Sequence, residues 1–155
     1  MSSELKRKIK QSTYFDSPAT EALLGLIKAA DFIRTLQNKT FTKFNLTSGQ
    51  FNVLRILRGV YPEGYARGEI SERMLENAPD VTRLLDRLEN AGLASRDRSA
   101  NDQRVSVNRI TEKGLQLLEE MKEDLESAKR RYENLLTTSE YRQLIEICEK
   151  IYTSK

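Results

Sequence analysis

Six arginines and no lysine fall between residues 79 and 110, against five carboxylates. Arg83 and Arg87 stand four apart in "PDVTRLLDRLENAG". Arg96, Arg98 and Arg104 follow in "SRDRSANDQRVSVNRITEKG", with Asp97 and Asp102 set among them. Arginine's planar fork suits two-pronged contacts to phosphates and guanine edges, which a lysine ammonium cannot match. This is chemistry toward a polyanion, and it is recognition rather than bond making. The chain has no histidine and one cysteine, Cys148, so the usual zinc ligand sets and histidine-dependent triads are excluded. No catalytic residue, metal site or cofactor is expected, because the sequence carries no paired catalytic acids, nucleophile–base signature or phosphate-cradling glycine loop.

The elements that must position these arginines come from a chain of 155 residues, 38% hydrophobic and 32% charged. That is the size and make-up of one charged, helix-rich domain. The net charge of +3 leans only mildly toward polyanions, so its distribution matters more. Lys6, Arg7, Lys8 and Lys10 crowd a polar arm over residues 1–16, whereas residues 111–155 carry eight basic groups against ten acidic ones. No apolar run approaches the ~20 residues of a membrane span. No signal-peptide pattern opens the chain, so a cytoplasmic protein with no membrane partner is expected.

Ser17 and Pro18 open a helix that runs to about Phe41. Thr47 and Gln50 form a capping box for the next, which ends at Gly59. A turn-rich connector leads to a short helix at "EISERML". "ENAPD" then breaks and restarts the chain, with Asn77 or Ala78 at the cap, Pro79 in the first turn and Asp80 at the positive end of the dipole. Val81, Leu84, Leu85 and Leu88 give that helix an apolar stripe, and Gly92 ends it. Leu93 to Arg98 and Arg104 to Ile110 read as the strands of a hairpin. Thr111 caps a long helix whose Leu118, Met121, Leu125, Ala128, Tyr132 and Leu135 alternate spacings of three and four. A last helix starts at the box Thr137 to Glu140, with Tyr141, Leu144, Ile145, Cys148 and Ile151 on its apolar face. The order predicts a mainly α fold with a small β-hairpin wing, a winged helix-turn-helix. The whole of 1–155 is read as a single domain, its winged region at 46–110 and its flanking helices at 17–44 and 111–155.

The stretch "APDVTRLLDRLENAGLASRDRSANDQRVSVNRITEKG" resembles the MarR family of bacterial transcription regulators. The likeness lies in Val81 to Glu89, Gly92 and Leu93, Asp102 and Arg104, and Ile110, Thr111 and Gly114. "LTSGQFNVLRIL" resembles the family's preceding helix. The resemblance implies a homodimer, built from the N- and C-terminal helices, that binds palindromic double-stranded DNA as a repressor and responds to a small-molecule effector of unknown identity.

On this reading Pro79, Asp80, Thr82, Arg83 and Arg87 belong to the recognition helix, with Thr82 and Arg83 nearest base edges and Arg87 nearest a phosphate. Arg96, Arg98, Asp102 and Arg104 belong to the wing, Asp102 aiming Arg104. Leu118, Met121, Leu125, Tyr132, Leu144, Ile145 and Ile151 are assigned to the dimer interface. Three plainer readings stand beside these, the first that the seam from Leu118 to Leu135 packs only within its own chain. Arg83 and Arg87 also fit a solvated helix face, with Asp86 as an i+3 partner of Arg83. The whole unit also fits a winged-helix module that docks protein instead of DNA. Cys148, on an apolar stripe, reads as an inert thiol.

Overall fold

A computed structural model describes residues 4–76, 80–98 and 106–154. In chain order the elements are α1 (Glu4–Lys8), α2 (Pro18–Lys43), α3 (Ser48–Arg58), β1 (Tyr65–Ala66), α4 (Arg67–Arg73), α5 (Val81–Asn90), β2 (Ala94–Arg98), β3 (Ser106–Ile110), α6 (Glu112–Glu120), α7 (Lys122–Glu133) and α8 (Thr138–Thr153). The chain is mainly α with one small antiparallel sheet, in the order of a winged helix-turn-helix. It divides into two compact units, Met1–Lys39 and Thr40–Lys155.

In the first unit the polar arm holds a short helix, α1, that the sequence reading did not anticipate. The Lys6 ammonium lies 4.0 Å from the centre of the Tyr14 ring. α2 starts as expected: the Ser17 hydroxyl accepts from the Thr20 N–H at 3.1 Å, and Pro18 takes the first helical position.

The second unit is built on one core. Val53, Leu54 and Leu57 of α3, Ile70 of α4, and Val81, Leu85 and Leu88 of α5 are buried in it. Leu93, Ala94, Ile110, Leu118 and Met121 close it. The capping box at Thr47 and Gln50 forms in both directions, and Phe51 stacks on Phe41 with ring centres 4.6 Å apart. The Asn52 side chain accepts from the Leu75 N–H at 2.8 Å, which ties the chain after α4 back to α3.

Three features depart from the sequence reading. The sheet has three strands, in the order β1-β3-β2. Tyr65 pairs with Asn108 and Ala66 with Val107. A two-residue strand has no period to reveal it, and its partner lies some forty residues on. Second, α5 begins later than expected: Asp80 is its N-cap, in place of Asn77 or Ala78. Third, the long C-terminal helix is interrupted at Met121, whose ψ of −14° separates α6 from α7. Hydrogen bonds still run through the break, from the Met121 N–H to Leu117 and from the Leu125 N–H to Met121.

That break coincides with a change of surroundings. Leu118 and Met121 are buried in the chain's own core, so they have no surface left for a partner subunit. Leu125 and Tyr132 are half-buried, while Leu135, Leu144, Ile145 and Ile151 are exposed. The expected apolar seam therefore holds two kinds of residue, core at its start and open surface further on.

Gly92 ends the helical run at a φ of 71°, a backbone conformation that favours glycine. The start of α6 then clips onto this corner. The Thr111 hydroxyl donates to the Gly92 carbonyl at 2.7 Å, and Lys113 Nζ donates to the Ala91 carbonyl at 2.8 Å. The Gly114 N–H donates to Thr111 Oγ1 at 3.1 Å. At Gly114 a Cβ would stand 2.3 Å from the Leu93 carbonyl oxygen and 2.7 Å from Ile110 Cγ1, so only glycine lets α6 approach the strands this closely. Gly114→Ala is expected to cost about 1–3 kcal/mol through overpacking. Chemical denaturation checks this, and wild-type stability in the variant would contradict the packing described.

Candidate nucleic-acid interface

The roll of α5 about its axis decides what it shows. Val81, Leu85 and Leu88 are buried, and Leu84 is half-buried beside them. With roughly 100° between successive residues, the outward half then splits into two flanks. Arg83 and Arg87 occupy one. Thr82, Asp86 and Glu89 occupy the other. Thr82, Arg83 and Arg87 are exposed, as the sequence reading required of a reading face.

Asp80 does two jobs at the start of this helix. One carboxylate oxygen accepts from the Arg83 N–H at 3.0 Å as the N-cap, and the other lies 2.8 Å from Arg83 Nε. The partner of Arg83 is thus Asp80, not the Asp86 that i+3 spacing offers. The contact engages the inner nitrogen of the guanidinium, and the Arg83 side chain remains 78% exposed. Among the described residues Arg87 has no ion-pair partner.

Asp86 faces the wing instead. Its carboxylate lies 2.5 Å from an Arg96 terminal nitrogen, and Glu89 lies 3.5 Å from the same nitrogen. On its inner side Arg96 Nε donates to the Asn108 side-chain oxygen at 3.4 Å, and Arg96 and Asn108 stand opposite each other across β2 and β3. On the other face of the sheet Arg109 pairs with Asp97 at 3.2 Å. Arg98, at the end of β2 toward the tip, is exposed and has no ion-pair partner among the described residues.

The sequence-predicted residues are therefore brought together unevenly. Arg83 and Arg87 share one flank of α5 with Asp80 capping its start, while Thr82 is exposed on the flank of Asp86 and Glu89. Among the described residues Arg98 has no ion-pair partner, and Arg96 is engaged inward. Pro79, Asp102 and Arg104 lie outside the described residues. Sequence reasoning missed Asn108 altogether. Its signal was a break in the apolar alternation of "VSVNRI": Asn108 falls on the parity of Ile110, the one buried apolar residue of the strand. Among the described residues no cluster of three or more potential metal ligands occurs, and no helix is long and apolar enough to cross a membrane.

Comparison with known proteins meets this geometry. A family model described as MarR family matches residues 46–106, which run from the turn before α3 to the first residue of β3. The crystal structure of a MarR transcription factor from Planctomyces limnophilus is 38% identical, with a TM-score of 0.68. The match covers 88% of this chain and 98% of that one. The chain belongs to the MarR family. The HTH-type transcriptional regulator FarR of Neisseria gonorrhoeae is 31% identical over 108 residues, 66% of this chain and 69% of that protein. At 20% identity, the S. aureus MepR–DNA complex shares the fold with a TM-score of 0.74, over 92% of this chain and all of that one. This MarR-family chain is thus a transcription regulator, not an enzyme, with the winged-helix fold.

The double role of Asp80 separates two substitutions. Asp80→Ala removes the cap and is expected to cost about 1 kcal/mol of stability. Asp80→Asn keeps an oxygen that can accept from the Arg83 N–H and is expected to cost only a few tenths, while freeing the Arg83 side chain. Equal losses in the two variants, measured by urea unfolding, would mean that the ion pair and not the cap anchors the helix start.

Proposed function

We propose that this MarR-family regulator is a cytoplasmic, homodimeric repressor of palindromic double-stranded DNA operators, with an affinity modulated by a small molecule. The observation that carries the DNA-binding reading is the split of α5. Its arginine flank, Arg83 and Arg87, is open, while its acids on the other flank are turned to a cation of the wing. A helix placed with that flank in the major groove offers Arg83 to base edges in its first turn and Arg87 to a phosphate one turn on. Arg98 and Arg104 extend the contact along the wing, with Asp102 aiming Arg104 toward the backbone or minor groove. The MepR complex with DNA supports the reading by its shared fold. CouR of Rhodococcus jostii, a structure of the same fold bound to p-coumaroyl-CoA, supports the ligand.

Exposed apolar surface supports the homodimer. In the first unit Leu23, Leu24, Ile27, Phe32 and Ile33 of α2 are exposed, Ile27 to 65%. In the second unit Leu135, Leu144, Ile145, Ile147 and Ile151 are exposed. Each fully buried side chain of this kind is worth roughly 1.5–3 kcal/mol, so leaving both faces in water is costly. A symmetric pair of chains presents two recognition helices, which suits a palindromic operator.

Selecting bound sites from random DNA with the full-length protein tests the reading. The expected product is an inverted repeat, and Arg83→Ala is expected to lose about 1–3 kcal/mol of discrimination at one position in each half-site. Recovery of no enriched sequence, with binding insensitive to salt, would count against DNA as the partner. Light scattering is expected to give twice the chain mass at micromolar concentration, and Ile145→Arg is expected to lower it toward one. A wild-type monomer would remove the dimer.

A further inference from the structure

We infer that Arg96 is a positioning residue, which braces the wing against the recognition helix and does not touch DNA. The inference rests on the DNA-binding reading above, and it withdraws Arg96 from the set of wing contacts. Arg96 is the one described wing arginine whose guanidinium reaches α5. Its side chain is 32% exposed, against 78% for Arg83. It meets two carboxylates at once, Asp86 at 2.5 Å and Glu89 at 3.5 Å. One cation between two acids has no surplus positive charge to offer a phosphate.

Its inner contact is the more constraining. Asn108 is 3% exposed. Its amide nitrogen donates to the Tyr65 carbonyl of β1 at 3.2 Å, and its oxygen accepts from Arg96 Nε at 3.4 Å. Tyr65 in turn lies under the Arg73 guanidinium of α4, 4.2 Å from the ring centre. The network therefore runs from α5 through β2, β3 and β1 to α4. Were Arg96 to swing out to a phosphate, a buried amide oxygen and two carboxylates would lose their shared partner, and buried polar groups without partners are costly. The brace also disposes of the acids that α5 carries, holding them on the flank away from Arg83 and Arg87. Wing and recognition helix then meet DNA as one piece, and the angle between them is set before contact.

The sign of one substitution separates a brace from a DNA contact. Asp86→Asn removes a negative charge from the recognition helix. If Arg96 binds phosphate and Asp86 only neutralises it, operator affinity rises or stays the same. If Arg96 is a brace, affinity falls, by roughly two- to fivefold per half-site, the loss expected of a partly exposed ion pair. Arg96→Met is expected to fall by a similar factor with the salt dependence unchanged, and the double variant is expected to be no weaker than Arg96→Met alone. A salt slope lowered by about one per half-site in Arg96→Met would mark a lost phosphate contact and overturn the inference. So would tighter or unchanged binding by Asp86→Asn. Should Arg96→Met fail to fold, Arg96→Lys serves. A phosphate contact tolerates lysine, whereas the forked brace does not, so affinity falls at constant slope.

Hydrogen exchange on the DNA-free protein supplies a readout independent of any operator. Faster exchange of the β2 and β3 amides in Arg96→Met supports the brace, and unchanged exchange overturns it. A wild-type protein that binds no DNA would defeat the proposed function alone, since the exchange measurement still decides the role of Arg96.

Discussion

Burial of Val81, Leu85 and Leu88 is the constraint from which the outward face of α5 follows. Sinking three such side chains is worth several kcal/mol, at roughly 1.5–3 each, whereas a partly exposed ion pair is worth about 0–1. The apolar stripe therefore fixes the roll of α5, and the charged residues take the directions left to them. Arg83 and Arg87 are sent outward, and Asp86 and Glu89 sideways. The ion pairs do not decide where the helix lies. They decide which directions its side chains hold once it lies there.

The two ends of the helix are secured by different means. Asp80 binds the first turn from within the same helix. The last turn is held from outside, by Thr111 and Lys113 at the start of α6, while Gly114 permits the close packing that brings them there. The start of α6 is thereby tied directly to the C-terminal end of α5.

Features whose causes are local were legible in the sequence. The boxes at Thr47 and Thr137 and the caps at Ser17 and Thr111 all formed, because each needs only a side chain and a backbone group three residues away. The cap of α5 was misplaced because "ENAPD" offers more than one residue able to cap, and only the packed position of the stripe selects Asp80. β1 was missed because its pairing with Val107 and Asn108 is long-range. The split of the C-terminal seam was hidden for a similar reason: apolar spacing does not tell Leu118 and Met121, which meet their own core, from Leu144 and Ile151, which do not. Arg96 read as one more wing cation because its acids, ten and seven residues upstream, come near only after the chain turns at Gly92.

The apolar stripe left open on α8 has a genetic consequence. In a dimer of the kind proposed, that surface recognises a second copy regardless of what the other end of the chain can read. A chain that has lost Arg83 but kept Leu144, Ile145 and Ile151 still assembles with intact chains. Mixed pairs then hold one working head and one silent one, and a single head forfeits the second half-site. Substitutions on the reading face should therefore behave dominantly when both versions are made in one cell, and substitutions on α8 recessively.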